Sequence, residues 1–379
     1  MSAIELLRQA SEHPRDYARK WKETTGGKVV GHFCSYTPQE LITAAGALPF
    51  RIWSSGADIN RADSHLQAYS CSLVRGALDD ALAGRLEFLD GTVFPHTCDS
   101  IMRLSDIWRM NTRFEFHADL VMPVKLDTDS AAEYMTAVLR RFRRDLEDGL
   151  GVTITDEHLH AAIQAWNHVR RGLGSLYARR AGDRSALGGS ALHQVFRAAL
   201  VMDPRASAIA MDSLIHTLPA APGNSAAAPK RLVLSGGLCG MPDIYQVVEA
   251  AGGQVVWDDF CTSARYFEGL VDETGDPIAA LARRMLTRVV CPAKHGGIDT
   301  RGRYLVQKVR QQKAQGVIFL FLKFCDPHAF DYPYMKEMLD REGIPNILIE
   351  IEDQIAAEGQ LRTRCEAFLE MIGPAGPAV

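Results

Sequence analysis

The sequence predicts an α/β protein made of two doubly wound parallel-sheet lobes with an intervening helical segment. Three observations carry that reading. Short apolar runs alternate with amphipathic stretches in both outer parts of the chain, the pattern of parallel strands covered on both faces by helices. Between them, residues 129–217 hold only helical periodicity, including EYMTAVLRRFRRDLEDGL and DEHLHAAIQAWNHVRRGL. The length of 379 residues, at about 150 per domain, leaves room for two or three domains. The expected division is an N-terminal α/β lobe over 1–125, a helical segment and linker over 126–225, and a C-terminal α/β lobe over 226–379.

Taken in order, residues 4–25 have a helical period and stop at Gly26-Gly27. KVVGHF (28–33) follows as a strand, with Cys34 directly after it. Thr37, Pro38 and Glu40 then read as N-cap, first and third helical positions, a capping box opening a helix that runs to Gly46. PFRIW (49–53) is the second strand. A helix over roughly 65–85 leads to the strand GTVFP (91–95), the loop His96-Thr97-Cys98 and another helix, and FEFHADLVM (114–122) is the fourth strand. After the helical block, LPAAPGNSAAAPK (218–230) is rich in Pro and Ala and reads as a linker or exposed crossover.

Alternation resumes with RLVLSGG (231–237), Cys239, a helix from Pro242 to Gly252, QVVWDDF (254–260) and Cys261. A helix (276–289), Cys291-Pro292, a helix (301–315), VIFLFLKF (317–324) and Cys325 come next. A helix (333–342), the strand NILIEI (346–351) and a helix (357–372) end the pattern. Cys34, Cys239 and Cys325 each precede a proline, a helix and a glycine. That loose echo puts the three cysteines in equivalent places.

Composition removes several function classes. Hydrophobic residues make up 47% and charged residues 23%, as in an ordinary globular chain. Lys plus Arg is 42 against 46 Asp plus Glu, a net charge of −4, so no basic excess points to nucleic acid. The longest apolar run, VIFLFL at 317–322, is far short of the ~20 residues that span a bilayer. The polar, amphipathic start MSAIELLRQASEHPRD is unlike a signal peptide, so the expected location is the cytoplasm.

The eight cysteines carry more information by placement than by number. There is no C-x-x-C, which removes zinc ribbons, thioredoxin-like motifs and bacterial ferredoxin runs. Cys34, Cys98, Cys239, Cys261 and Cys325 each fall within about three residues of a strand's carboxyl end, where open parallel sheets bind ligands. Cys71 lies on a helical stretch, on one stripe with Ala68, Val74 and Leu78, while Cys291 and Cys365 have no comparable placement. A soft, thiolate-rich pocket between two lobes suits an iron–sulfur cluster better than zinc, whose structural sites draw paired local ligands.

GHFCSYTPQELITAAGALPFRIW, LEFLDGTVFPHTCDSIMRLSDIWR, SGGLCGMPDIYQVVEAAGGQVVWDDFCTSARYFEG and GVIFLFLKFCDPHAFDYPYMKEMLDREGIP together resemble the 2-hydroxyacyl-CoA dehydratase family, which includes benzoyl-CoA reductase subunits and double-cubane cluster proteins. The resemblance runs in order over most of the chain, with 125–225 its least telling part. It implies flavodoxin-like lobes with an iron–sulfur cluster between them, and an ATP-hydrolysing activator that injects low-potential electrons. It implies Cys34, Cys98 and Cys325 as the ligands of a single 4Fe-4S cubane. Cys71, Cys239 and Cys261 are then available for a bridged double cubane, which tilts the expectation toward the reductase or double-cubane side. The expected function is the cluster-bearing component of an ATP-dependent reductase resembling benzoyl-CoA reductase, acting on an acyl-CoA. Radical dehydration of a 2-hydroxyacyl-CoA is the alternative, and a non-catalytic partner subunit or a two-lobed binding module stand as others. A homodimer and a heterodimer with a paralogous subunit are both compatible.

His96 and Asp99 flank Cys98 and are the expected proton-moving residues, although Asp99 also suits a helix start and His96 an orienting role. Glu40 reads as the capping-box residue rather than a base. Lys323 and Arg265 are long cations that either balance cluster charge or are simply solvated. No G-x-G-x-x-G or Walker A pattern is present, so the nucleotide chemistry is expected in a partner.

Overall fold

Strands that are apolar on both faces must be covered on both faces, and parallel sheets with helical crossovers achieve that. The computed structural model describes residues 2–181, 187–218, 229–237, 243–352 and 358–372, and it contains two four-stranded parallel sheets. The first comprises β1 (Val29–His32), β2 (Leu48–Arg51), β3 (Gly91–Pro95) and β4 (Phe116–Leu120), in the order β2-β1-β3-β4. The second comprises β5 (Lys230–Gly236), β6 (Gly253–Asp259), β7 (Gly316–Leu322) and β8 (Asn346–Ile351), in the order β6-β5-β7-β8. The two orders coincide when the count restarts at β5, so the echo in the sequence is a repeat of topology. That repeat changes one equivalence. Cys325 follows β7 and so corresponds to Cys98 after β3, whereas the counterpart of Cys34 after β1 is Cys239, which lies outside the described residues.

The first lobe carries α1 (Ala3–Glu12), α2 (Pro14–Thr25), α3 (Gln39–Ala44), α4 (Ser72–Leu82) and α5 (Asp99–Asn111). The expected opening helix is two helices, because Pro14 has no N–H to continue α1 and instead starts α2. The capping box at Thr37 does not form: α3 has Pro38 as N-cap with no side-chain cap bond, and the Thr37 hydroxyl has no partner among the described residues. Glu40 turns into the protein and pairs with Arg170.

The middle segment is α6 (Asp129–Leu150), α7 (Asp156–Arg180), α8 (Gly189–Ala199) and α9 (Pro204–Thr217). Thr128 caps α6 by accepting from Ala131 N at 3.2 Å, and Met135, Leu139, Phe142 and Leu146 form its buried stripe. The second lobe carries α10 (Ile244–Ala250), α11 (Ala264–Phe267), α12 (Pro277–Thr287), α13 (Thr300–Gln311), α14 (Asp326–Arg341) and α15 (Glu358–Met371). Helix α14 starts seven residues earlier than its Pro333 suggests; Pro327 sits in its first turn and Pro333 lies inside it.

The lobes are joined directly. His295 N donates to Val124 O at 2.7 Å and Leu126 N to His295 O at 3.0 Å, while Arg288 Nη1 donates to Ser35 O at 3.0 Å. Helix α6 packs on β4 of one lobe and on α12 of the other. Under the strand ends, Trp108 stands edge-on to Phe33 and Phe94, each 5.5 Å away, and Phe33 precedes Cys34. Among the described residues no helix is long and apolar enough to cross a membrane.

Candidate functional site

In the order β2-β1-β3-β4 the crossovers leave β1 and β3 in opposite directions, which opens a crevice beyond their carboxyl ends. The same switch lies between β5 and β7. The loops from both lobes meet at a cleft of about 670 Å³ whose walls include Cys71, His96, Cys98 and Asp99 from one lobe and Lys294, Arg301 and Cys325 from the other. Val124, Ile298, Phe324 and Phe330 leave apolar surface exposed at its edge.

Three of the cysteines stand at helix starts. Cys71 is the N-cap of α4, Cys98 of α5 and Cys325 of α14, none with a side-chain cap bond. A helix N-terminus favours negative charge, which works against the effect of burial on each sulfur. Cys71 is therefore not inside a helix as its stripe suggested, because α4 begins at Ser72 and Ala68 is exposed. Burial pushes the Cys98 thiol up to about 12, with Cys325, Cys34 and Cys291 adding to the rise. Burial likewise pushes Cys325 up to about 12, with Cys71 and Cys291 contributing. As free thiols these groups hold their protons; a soft metal would have to displace them.

Cations stand beside the neighbouring thiols Cys291 and Cys261. Arg265, 1% exposed, donates from Nη1 to Cys291 Sγ at 3.7 Å and is held by Asp259, whose Oδ1 is 3.0 Å from its Nε. Arg51 Nη2 points to Cys261 Sγ at 3.7 Å. Burial raises the Cys261 thiol, against the opposing charges of Arg51 and Arg265. Lys294 is buried and lies 5.7 Å from the Tyr36 ring; burial lowers its ammonium pKa while Cys34 and Cys291 oppose the shift. The buried Thr37 and Thr262 hydroxyls have no hydrogen-bond partner among the described residues.

Among the described residues no three His, Cys, Asp or Glu side chains converge on one metal-ion position. A cubane places its thiolates on separate irons, so its ligands ring a volume instead of sharing one coordination sphere. Cys71, Cys98 and Cys325 line the cleft at helix N-termini, Cys34 and Cys291 are close enough for their charges to act on Cys98 and on Cys261, and with buried cations and orphaned hydroxyls among them these thiols fit such a thiolate-bound anion.

His96 is half-buried on the cleft wall, and its Nε2 is 2.9 Å from Asp119 Oδ1. Ser105 donates to the same oxygen at 2.5 Å and stands 2.9 Å from His117 Nε2. Burial would raise the Asp119 carboxyl, but hydrogen bonds from His117, Ser105 and His96 hold it well below the carboxylate range. Asp99 is exposed in the first turn of α5, beside the cleft.

Sequence reasoning missed two groups. Cys291, set aside for want of a strand before it, joins the cluster of thiols because the turn 288–295 folds onto β4's exit; the buried Arg265 beside it is the signal. Asp119 was missed because its partner His96 lies on the neighbouring strand's exit. Of the two long cations, Arg265 is buried against the thiols, whereas Lys323 is half exposed and paired with Glu352 at 3.5 Å. Cys365 is a core residue of α15, and Cys239 lies outside the described residues.

Comparison with known proteins agrees over the same span. A family profile described as 2-hydroxyglutaryl-CoA dehydratase, D-component, matches residues 34–372. The chain is 28% identical to the (R)-phenyllactyl-CoA dehydratase beta subunit of Clostridium sporogenes over 95% of its own length and 96% of that protein's. It is 27% identical to a benzoyl-CoA reductase subunit of Thauera aromatica, over 94% of each chain. It is 25% identical to the (R)-2-hydroxyglutaryl-CoA dehydratase beta subunit of Acidaminococcus fermentans, over 97% and 98%. Two parallel sheets meeting at a thiol-lined cleft, and a match over nearly the whole chain, lead to one conclusion: this chain belongs to the 2-hydroxyglutaryl-CoA dehydratase D-component family.

Proposed function

We propose that this chain is the iron–sulfur component of an ATP-dependent, low-potential reductase resembling benzoyl-CoA reductase, working in the cytoplasm on an acyl-CoA thioester. The observation that carries the reading is the meeting of Cys71, Cys98 and Cys325, from both lobes and each at a helix N-terminus, in the wall of the inter-lobe cleft. In this reading Cys34, Cys98 and Cys325 hold a 4Fe-4S cubane, and Cys71, Cys261 and Cys239 are available to a bridged double cubane. Bound there, the cluster would supply single electrons at low potential, the part of the chemistry that side chains cannot perform.

The chain's own residues do the rest. His96, tethered by Asp119, and Asp99 stand on the cleft wall beside Cys98, where they can move protons to and from a substrate. The exposed apolar edge suits an acyl group or a paired subunit. The relatives are named as subunits, which supports a partner chain, either a second copy or a paralogue. The absence of a Walker A pattern from the sequence supports an ATP-hydrolysing activator on a separate chain.

A second reading, radical dehydration of a 2-hydroxyacyl-CoA, is favoured by the names of two of the three relatives described above. Anaerobic purification with iron and acid-labile sulfide counting tests the shared premise; iron-free protein ends both readings. Cys34→Ala, Cys98→Ala and Cys325→Ala should each lower the iron content, and full retention in all three removes the ligand assignment. With activator and ATP present, net consumption of electrons with substrate marks the reductase, and turnover without it marks the dehydratase.

A further inference from the structure

We propose that Arg51 is the built-in counter-charge of the thiolate-bound cluster, and that its guanidinium raises the potential at which the cluster takes up an electron. The proposal rests on the iron–sulfur reading above in the form where Cys261 is a ligand, and assigns it a residue that the ligand set does not include. Arg51 ends β2 and is 2% exposed. Among the described residues its Nε and Nη1 have no hydrogen-bond partner, and Nη2 points to a sulfur, Cys261 Sγ, at 3.7 Å. Among the described residues no carboxylate forms an ion pair with it.

The other buried guanidiniums near the lobe interface have oxygen partners: Arg284 and Arg288, without a carboxylate among the described residues, donate to backbone carbonyls and, from Arg288, to the Ser35 hydroxyl. Arg265 and Arg301 share Asp259, and Arg170 has Glu40. Burying a charge without a partner is costly, so a guanidinium left alone inside the protein calls for an anion. A neutral thiol is a weak acceptor and does not cancel a positive charge. A metal-bound thiolate does, because iron binding takes the proton off the sulfur. A hydroxyl or a water molecule would solvate Arg51 but leave its charge in place.

The couple in question adds one electron to the cluster from an external low-potential one-electron donor, with no protein bond made or broken and no change in proton count. The reduced cluster is more negative by one unit, so a fixed positive charge beside it favours reduction. At an effective dielectric of about 20, a unit charge within a few ångströms of the cluster changes the equilibrium by at least about tenfold.

Anaerobic potentiometric titration of the purified holoprotein, followed by EPR, tests the proposal. Arg51→Gln should shift the oxidised-to-reduced ratio at fixed potential at least about tenfold toward oxidised, a midpoint lower by about 59 mV or more for one electron. Arg51→Lys, which keeps the charge, should stay close to wild type. An unshifted midpoint in Arg51→Gln at full iron content overturns the proposal. If Arg51→Gln loses its iron, retention in Arg51→Lys with loss in Arg51→Met supports the charge, and any other pattern overturns it. Wild-type protein without iron overturns the cluster reading first, and this proposal with it, so the two failures are distinguishable.

Discussion

Glu40→Gln keeps the shape of the side chain and removes its charge, at a place where the carboxylate faces two buried guanidiniums. Glu40 is 2% exposed, its Oε1 accepts from Arg170 Nη2, and both side chains of that pair are 3% exposed. Arg284 is buried and close enough for its charge to act on the same carboxyl. Burial alone would raise the Glu40 pKa, but Arg170 and Arg284 outweigh it and leave the carboxyl below its ordinary value. Removing one partner of a buried pair strands the other and costs about 3–5 kcal/mol. A helix-capping role would be worth only about 1 kcal/mol. Denaturant unfolding of Glu40→Gln beside Thr37→Ala separates the two accounts. Thr37→Ala should fall within about 0.5 kcal/mol of wild type, because its hydroxyl caps nothing and has no partner among the described residues. The pH dependence follows the same sign. With the folded pKa lowered, the Glu40 contribution is complete above its unfolded pKa and is lost as pH falls through the folded value. Glu40→Gln should therefore flatten the acid limb of the stability profile. A loss of about 1 kcal/mol or less in Glu40→Gln, matched by Thr37→Ala, would refute the buried-pair account.

Three further outcomes are expected. Asp119→Asn should leave iron content intact and lower turnover by about a hundredfold, because His96 loses the carboxylate that orients it; unchanged turnover removes His96 from proton transfer. Gly236→Ala should cost more than about 3 kcal/mol, since a Cβ there would sit 1.9 Å from the Leu320 carbonyl oxygen. Gly237→Ala, whose nearest neighbour is His328 at 3.7 Å, should be mild, and equal losses in thermal unfolding would contradict the packing. Phe324 has a left-handed backbone with φ 62°, so Phe324→Val should be less stable than Phe324→Gly by about 1–2 kcal/mol, with the opposite ranking counting against that strain.

Much of the architecture was readable because its signals are local. Strands buried on both faces are apolar throughout, so VIFLFLKF and RLVLSGG announce β7 and β5 within a residue or two. Cysteines just past those runs were legible as strand-end residues for the same reason. Helix starts were less secure. The box at Thr37 has the right residue types, yet Glu40 gains more from Arg170, 130 residues away, than from a cap three positions back. Pro333 looked like a helix start because proline suits a first turn, but Pro327 already occupies that turn in α14.

The site divides along the same line. By itself the sequence determined the two α/β lobes, the helical block between them and the cysteine placement at Cys34, Cys98, Cys261 and Cys325, because side-chain period and strand-end position are properties of neighbouring residues. Only the tertiary structure decided that Cys98 and Cys325 are counterparts, that Cys71 caps a helix and that Cys291 joins the thiols. It alone set Asp119 on His96 and left Arg51 without a carboxylate among the described residues. Those relations depend on strand order and on how the 124–126 and 288–295 segments pair across the lobes, and contacts between residues so far apart leave no periodic trace in the chain.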